Sequence, residues 1–236
     1  MQFKALPLTL FATVLTCGGG VLAAPAGTAS PAPEAALAPY FTPARNSPAT
    51  PDRDGFIRRW LLLEPIAKPN RTNSVFTGTY VRQALTTAYF PGQFTRLPRT
   101  GETVHAGGTA LRWHAVDATD FDVKLFNFAQ ALGKPTYGVI FWAVTVVDSP
   151  REIRNARMAV GSNSASMWWL NGQEAVGLYN DRRMVMDDVL SDRLTLRKGR
   201  NLIRGAVING PGLSDFCVRF LDEDGRPIRD LKTSLK

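Results

Sequence analysis

Histidine and cysteine are scarce in this chain, which has two of each among its 236 residues. Two cysteines are too few for a disulfide-dense scaffold. His105 and His114 leave little material for a zinc centre or a histidine-based active site. Apart from a broken apolar stretch at the N-terminus, no apolar run approaches the roughly 20 residues that a membrane-spanning helix needs.

Recognisable catalytic and metal-binding motifs are missing as well. No histidine follows His114 and no Gly-x-Ser-x-Gly sequence occurs, which excludes the Ser, acid, His order of α/β-hydrolases. The adjacent Asp187 and Asp188 would point to opposite faces of a strand, which argues against a shared calcium or acid–base role. The run Asp222-Glu223-Asp224-Gly225 resembles half of a calcium loop without its remaining ligands. We therefore predict no catalytic residues, no metal site and no cofactor.

The charge balance is basic, with 28 Lys and Arg against 20 Asp and Glu, a formal net charge of +8. Such a balance favours anionic partners: uronate polymers, a cell envelope or nucleic acid. The chain has no basic-aromatic motif of nucleic-acid-binding proteins, so nucleic acid ranks last among the three.

The first residues have the features of an export signal. Lys4, an apolar stretch and Val21-Leu22-Ala23 are typical of a signal peptide spanning residues 1–23, with a buried N-terminal helix as the alternative. The run that ends at Cys17 resembles a lipoprotein box and offers lipid attachment as another alternative. We predict export to the periplasm or the extracellular space, with no transmembrane helix after processing.

Residues 24–52 read as a linker. They carry seven prolines, separated largely by Ala, Ser and Thr. Proline lacks an N–H and biases its predecessor away from helix, so the segment is predicted to be semi-extended. A long loop wrapped on the domain is the alternative.

Residues 53–236 are predicted to form one all-β domain, a jelly-roll-like antiparallel β-sandwich. Short apolar runs alternate with Gly, Asn and Pro turns, as in sandwiches and barrels. The run 137–147 is apolar on both faces, which predicts a central strand. Asn171-Gly172 predicts a tight hairpin, because both residues accept positive φ. A second hairpin is predicted around residues 197–201.

The region 68–135 is less regular. Residues 111–116 and 121–128 are predicted as strands, and residues 101–108 as a long surface loop. No stretch of the domain shows a sustained 3.6-residue period, so no helix is predicted.

Several turn and core sequences follow one recurring pattern. They are Arg59-Trp60-Leu61-Leu62, Leu111-Arg112-Trp113-His114, Gly161-Ser162-Asn163-Ser164-Ala165, Trp169-Leu170-Asn171-Gly172, Leu194 to Gly199 with Asn201-Leu202-Ile203, Phe216 to Phe220 and Asp224-Gly225. The pattern resembles that of the galactose-binding-like, jelly-roll β-sandwich modules appended to bacterial glycoside hydrolases and carbohydrate esterases. The likeness spans about residues 55–230 and implies a sandwich fold and a role beside carbohydrate-active enzymes. Relatives carry paired aspartates where Asn163 and Ser164 stand here, so a calcium role of that pair is not carried over.

The candidate ligand-binding residues are Trp169, Asn171, Asn180, Arg182 and Arg183. Side chains alternate along a strand, so Trp168 and Trp169 face opposite ways, and Trp169 can stack on a sugar at the rim of the sandwich. The two asparagines offer donors and acceptors to hydroxyl groups, and the two arginines suit the carboxylates of an acidic glycan. The alternatives are that Trp169 only packs in the core and that the 180–183 loop is only solvated.

The leading functional hypothesis is a secreted, non-catalytic, carbohydrate-binding or accessory protein that prefers anionic glycans. Its partners would be a polysaccharide or envelope glycan and a separate secreted hydrolase. Two alternatives stay open: a carbohydrate esterase or glycoside hydrolase of the acetylxylan-esterase kind, and an envelope assembly or protein-interaction module.

Overall fold

The computed structural model describes residues 36–70, 72–180 and 182–236. These ranges contain fourteen strands, two helices named α1 and α2, and a short 3-10 helix at Asn73–Val75. The strands are β1 (Phe41–Pro43), β2 (Arg59–Leu63), β3 (Ile66–Ala67), β4 (Thr103–Ala106), β5 (Thr109–Ala118), β6 (Val139–Ser149), β7 (Ile153–Ser162), β8 (Ala165–Leu170), β9 (Gln173–Leu178), β10 (Val189–Leu190), β11 (Leu194–Leu196), β12 (Gly199–Asn209), β13 (Phe216–Leu221) and β14 (Lys232–Ser234). The helices are α1 (Gly78–Thr86) and α2 (Leu125–Ala131).

The strands form two antiparallel sheets. The larger has the order β1-β5-β2-β6-β12-β8-β9, with β3 and β14 also paired to β6 and β4 to β5. The smaller has the order β10-β7-β11, with β13 also paired to β7. Apolar side chains from both sheets share one core, in which Trp60 and Trp168 of the larger sheet pack on Phe216 of the smaller. The predicted all-β antiparallel sandwich is confirmed.

A second core covers the other side of the larger sheet, which we call the outer face. Leu61, Trp113, Trp142 and Met167 lie on this face, beneath α1 and the segment 88–97. Strand β6 is therefore buried on both sides, as predicted for the apolar run 137–147. Openings remain beside this second layer, where residues of the sheet line pockets.

The Asn171-Gly172 hairpin between β8 and β9 is also confirmed. Asn171 has a φ of 53° and Gly172 a φ of 83°, the left-handed values that a type I′ turn needs. The hairpin predicted around residues 197–201 is wrong, because β11 pairs with β7 in the smaller sheet whereas β12 pairs with β6 and β8 in the larger. The Asn201 side chain bonds the backbone of Arg197 and Gly199 and so fixes the crossover between the sheets.

Three expectations for the region 68–135 are also wrong. Residues 103–106 form β4 rather than a loop, and residues 125–131 form α2 rather than a strand. The chain also has α1, which begins after an N-cap: the Thr77 hydroxyl accepts the N–H of Tyr80 at 3.3 Å. Helix α1 buries Val81, Ala84 and Leu85, an i, i+3, i+4 stripe too short to give a sustained period.

Residues 36–52 belong to the domain and do not form the predicted linker. Leu37 and Phe41 are buried in the shared core, and β1 pairs with β5. Further along, Ala49 exchanges backbone hydrogen bonds with Thr233. The predicted signal peptide, residues 1–23, and the first part of the predicted linker lie outside the described residues.

Candidate functional site

An open pocket of about 260 Å³ lies on the outer face of the larger sheet, at the edge of the layer formed by α1 and the segment 88–97. Its lining consists of Trp169 from β8, Arg204 from β12, Thr86 from the end of α1, Phe94 from the covering segment and Gly172 from the hairpin turn. These five residues come from five separate parts of the chain and converge at one end of β8. We call this opening the Trp169 pocket.

Trp169 is held rigidly in the pocket wall. Its ring stacks on Trp142 at 5.7 Å between centroids, with 15° between the planes, and it meets the edge of Phe94 at 6.0 Å. Only 8% of its surface is exposed. The pocket therefore offers the border of a packed aromatic cluster, which a bound sugar ring can contact without any rearrangement of the tryptophan.

Arg204 brings an uncompensated positive charge to the same pocket. The residue is 3% exposed, and its Nη2 donates a hydrogen bond of 2.6 Å to the carbonyl of Arg96. Its Nε has no partner among the described residues, and none of their ion pairs includes Arg204. Desolvation by burial lowers the pKa of its guanidinium. Buried cations are ordinarily paired, so an unpaired guanidinium that lines an open pocket offers a partner for an anion.

Thr86 adds a hydroxyl group to the rim. Its Oγ1 donates to the carbonyl of Arg82 at 2.7 Å, which leaves the oxygen free to accept a second bond. The pocket thus combines an aromatic border, a hydroxyl acceptor and a buried guanidinium.

The structure separates the residues that the sequence predicts as one site. The backbone N–H of Ser164, just before β8, bonds the carbonyl of Arg182 at 3.2 Å, so the 180–183 loop sits at the start of β8. Trp169 lies near the end of that strand, about 16 Å further along at roughly 3.3 Å per residue. Trp169 and the loop therefore do not share one pocket.

Two of the predicted ligand-binding residues are occupied within the fold. The Asn171 side chain donates to Asn201 at 3.0 Å and accepts the N–H of Leu202 at 2.8 Å, which holds the hairpin against β12. Arg182 forms an ion pair with Asp188 and donates to the Tyr179 carbonyl at 3.3 Å. Both side chains are already used to hold local structure.

Asn180 and Arg183 are exposed on the loop. Asn180 has a φ of 71°, and its backbone N–H bonds the Phe76 carbonyl, so it shapes the turn. The Arg183 side chain has no hydrogen bond or ion pair to the described residues. It stays a candidate contact, but at a different place from Trp169.

Sequence reasoning missed Arg204, Phe94 and Thr86. Arg204 is the single charge within the apolar run 202–208. A lone arginine there is a signal, because a charged side chain on a doubly covered strand has to be buried. Phe94 and Thr86 carried no comparable signal, since the helix and segment that position them were not predicted.

The adjacent aspartates considered for calcium or acid–base chemistry are each in an ion pair. Asp187 binds Arg219, and Asp188 binds Arg182. Within the described ranges, no group of three or more His, Cys, Asp or Glu side chains is arranged to hold a metal ion.

His114 lies in a half-buried polar cluster on β5. Its Nε2 is 3.3 Å from Glu64 Oε1, and Lys134 Nζ is 3.0 Å from Glu64 Oε2. Burial alone would raise the pKa of Glu64, but hydrogen bonds from Lys134 and His114 and the charge of Lys134 together hold it below the usual range. Desolvation lowers the pKa of His114 despite its contact with Glu64.

No protein-family model and no curated protein matches the chain. Among solved structures it is similar to the PA14 sugar-binding domain from an RTX adhesin, with 11% identity, a TM-score of 0.42, and coverage of 74% of this chain and 96% of that one. It is also similar to the PA14 domain of the antifreeze protein MpAFP, with 12% identity, a TM-score of 0.38, and coverage of 81% and 96%. A GH31 α-xylosidase from Xanthomonas citri shows 7% identity and a TM-score of 0.36, over 82% of this chain and 20% of that one.

At these identities and TM-scores, the likenesses carry no argument about what this chain binds. None of the three structures is described as a galactose-binding-like module, so that resemblance stays a prediction. Among the described residues, no helix is both long enough and apolar enough to cross a membrane.

Proposed function

We propose that the protein is an exported, non-catalytic β-sandwich that binds carbohydrate at the Trp169 pocket and prefers sugars with a carboxylate. The observation that carries the proposal is Arg204, a buried guanidinium without a carboxylate partner among the described residues, beside an aromatic wall. A sugar carboxylate would supply the missing counter-ion through charge-assisted hydrogen bonds. The C–H groups of the same ring would contact Trp169 and Phe94.

The size of the pocket supports a single sugar unit as its occupant. About 260 Å³ lies just below the roughly 300–1,000 Å³ of pockets that enclose drug-sized molecules. The opening at the rim allows the rest of a glycan chain to continue outside. This arrangement suits recognition of one acidic unit within a longer polymer.

The test is calorimetry with digalacturonate and with neutral galactobiose, on the wild type and on Arg204→Met. Charge-assisted hydrogen bonds contribute about 1.5–3 kcal/mol, so Arg204→Met should weaken digalacturonate binding roughly 10- to 100-fold. Galactobiose binding should change little. The variant should keep or raise the melting temperature, because a desolvated charge has been removed.

Control variants separate the Trp169 pocket from the loop that the sequence predicts. Arg183→Gln and Arg229→Gln each remove one exposed positive charge away from the pocket and should leave binding unchanged. Trp169→Phe keeps an aromatic wall and should weaken both disaccharides modestly. Loss of digalacturonate binding in Arg183→Gln, with Arg204→Met unaffected, would return the site to the 180–183 loop.

The salt dependence gives a second criterion. Exposed charges are screened over about 8–10 Å at physiological ionic strength, whereas buried charges are screened much less. Binding of the disaccharide through Arg204 should therefore persist at raised salt. A steep loss with salt would indicate contacts with exposed arginines instead.

The remaining parts of the proposal are tested separately. Export predicts that the mature protein begins near Ala24, which N-terminal sequencing would show. Hydrolysis of acetylated xylan by the purified protein would favour the esterase alternative. Recovery of an envelope protein in a pull-down, without glycan binding, would favour the assembly alternative.

A further inference from the structure

A second opening, a cleft of about 900 Å³, lies beside β12 on the outer face of the same sheet. Three segments, residues 43–48, 97–100 and 234–236, form its walls, and Arg200 of β12 reaches it from the sheet. We call it the basic cleft. The predicted site does not include any of its residues.

Positive charge dominates the lining of the basic cleft. Arg45, Arg99 and Arg200 are exposed, and their side chains take part in none of the ion pairs among the described residues. Asp148 is the one acidic side chain among the described lining residues, and it accepts a hydrogen bond of 3.1 Å from the Ser234 hydroxyl. Glu102, close in sequence to Arg99, is already paired with Arg96. The cleft therefore has a surplus of guanidinium groups.

The floor of the basic cleft is rigid. Arg59 is buried there, forms a bidentate ion pair with Asp117 at 2.8 and 2.7 Å, and donates to the carbonyl of Ser47. Its charge is neutralised by that pair, and its third bond holds the wall segment over the sheet. The backbone N–H of Ala44 also bonds the carbonyl of Ala115 at 3.1 Å. The exposed arginines are thus mounted around a preformed concavity.

The basic cleft and the Trp169 pocket are neighbours on one face. Arg200 and Arg204 are four residues apart on β12, so they point to the same side with about 13 Å between their Cα atoms. One segment borders both openings: Phe94 lines the pocket, the Arg96 carbonyl accepts from Arg204, and residues 97–100 line the cleft. A chain bound in the pocket would reach the cleft along this segment.

We propose that the basic cleft is a second subsite for the same ligand, which identifies that ligand as a polymer of carboxylate-bearing sugars. One unit occupies the Trp169 pocket, and further units place their carboxylates against Arg99 and Arg200. This inference rests on the proposed function. A single-stranded nucleic acid fits less well, because such strands bind through stacking on aromatic side chains and the described lining of the cleft has none.

The test compares oligogalacturonates of two and eight units on the wild type and on Arg99→Gln/Arg200→Gln. A second engaged subsite raises the apparent affinity through effective concentration, so the octamer should bind at least about tenfold more tightly than the dimer. The double variant should lose that gain and bind the dimer like the wild type. The charge-matched control Arg193→Gln/Arg229→Gln removes two exposed positive charges outside both openings and should keep the gain.

The outcomes distinguish the two proposals. If the dimer binds through Arg204 but the octamer gains nothing, the second subsite is wrong and the proposed function stands. If the control double variant loses the gain equally, net charge alone explains it and the subsite is wrong. If Arg204→Met leaves dimer binding intact, the proposed function fails whatever the octamer does. Tighter binding of an oligothymidylate than of the octamer would overturn the polysaccharide assignment.

Discussion

Arg204 and Asp215 are both buried charged residues, but their surroundings differ. Among the described residues, Arg204 has only a backbone carbonyl as partner, whereas Asp215 lies 3.4 Å from Lys124, which also binds Asp122 at 2.6 Å. A charge that the fold leaves uncompensated is available to a ligand. A charge that the fold compensates in part affects stability instead, and its contribution depends on pH.

Asp215 should make the folded state less stable as the pH rises through the mildly acidic range. Burial raises its pKa to about 6, although the charge of Lys124 opposes this shift. An unfolded Asp releases its proton near pH 4, so between about pH 4 and 6 the folded state binds more protons and its stability falls with rising pH. A pKa near 6 in the folded state against one near 4 in the unfolded state corresponds to on the order of 2–3 kcal/mol of stability. Asp215→Asn should remove this dependence.

Urea unfolding of the wild type and Asp215→Asn at pH 4, 5, 6 and 7 measures the effect. The free energy of unfolding of the wild type, minus that of the variant, should decrease across this range and level off above pH 6. The difference between the two free energies cancels the contributions of all groups that titrate in both proteins. A difference that stays constant from pH 4 to 7 would show that Asp215 titrates normally.

At the residue scale, the sequence led to Trp169 but to none of the other side chains that line the Trp169 pocket. Alternation along β8 correctly assigns Trp168 and Trp169 to opposite faces, because strand geometry fixes that relation locally. The prediction placed Trp169 and the 180–183 loop in one site, and the structure does not bring them together. The hairpin that separates them has a length that the sequence pattern does not give, so their distance could not be predicted. The contact between Trp169 and Arg204 depends on strand order, which joins β8 to β12 and which local patterns do not encode.

At the element scale, β12 contributes to both the shared core and the Trp169 pocket. Gly205 of β12 lies opposite Trp168 on β8, and a β-carbon at this position would overlap the tryptophan ring at Cζ3. That ring cannot move away easily, because its Nε1 donates to Ser166 Oγ at 3.0 Å and its centroid lies 4.8 Å from that of the Phe216 ring. Glycine is therefore required at position 205 because a β-carbon does not fit beside Trp168, and not because of its backbone dihedral angles.

Gly205→Ala should destabilise the fold by about 3 kcal/mol or more, at or beyond the upper end of the usual cost of overpacking. The matched control is Gly78→Ala at the start of α1, where an added β-carbon would meet Tyr179 at an ordinary 3.9 Å. The control should unfold at nearly the wild-type urea concentration. Equal midpoints for the two variants would mean that Trp168 has room to shift.

Element types were predicted well where hydrophobic periodicity is long and poorly where it is short. Strand β6 has eleven residues and two buried faces, which the run of apolar residues shows directly. Helices α1 and α2 have nine and seven residues, too few to establish a 3.6-residue period against the surrounding β pattern. The covering layer was therefore missed, and with it the residues that make the outer face a site.

At the scale of the whole molecule, the N-terminal boundary of the domain decides how much of the chain must be present. Proline content alone favoured a linker, yet Leu37 and Phe41 are buried, and Phe41 packs edge-on to Phe128 at 6.1 Å. Amino-acid composition averages over a whole segment, so it does not reveal that two buried apolar side chains are enough to hold a proline-rich segment against the core. Strand β1 also covers the edge of β5, which would otherwise present unpaired backbone groups.

A chain that begins at Arg53 should consequently be much less stable than one that begins at Ala36. Full burial of a large apolar side chain stabilises by about 1.5–3 kcal/mol, so the loss of Leu37 and Phe41 should cost several kcal/mol in urea unfolding. The newly exposed edge of β5 should also promote association, visible as larger species in light scattering. Phe41→Ala in the longer chain separates the two effects, because it removes about 3–5 kcal/mol of packing while the backbone of β1 still covers β5. If the two chains unfold at the same urea concentration, residues 36–52 are dispensable and the linker prediction is restored.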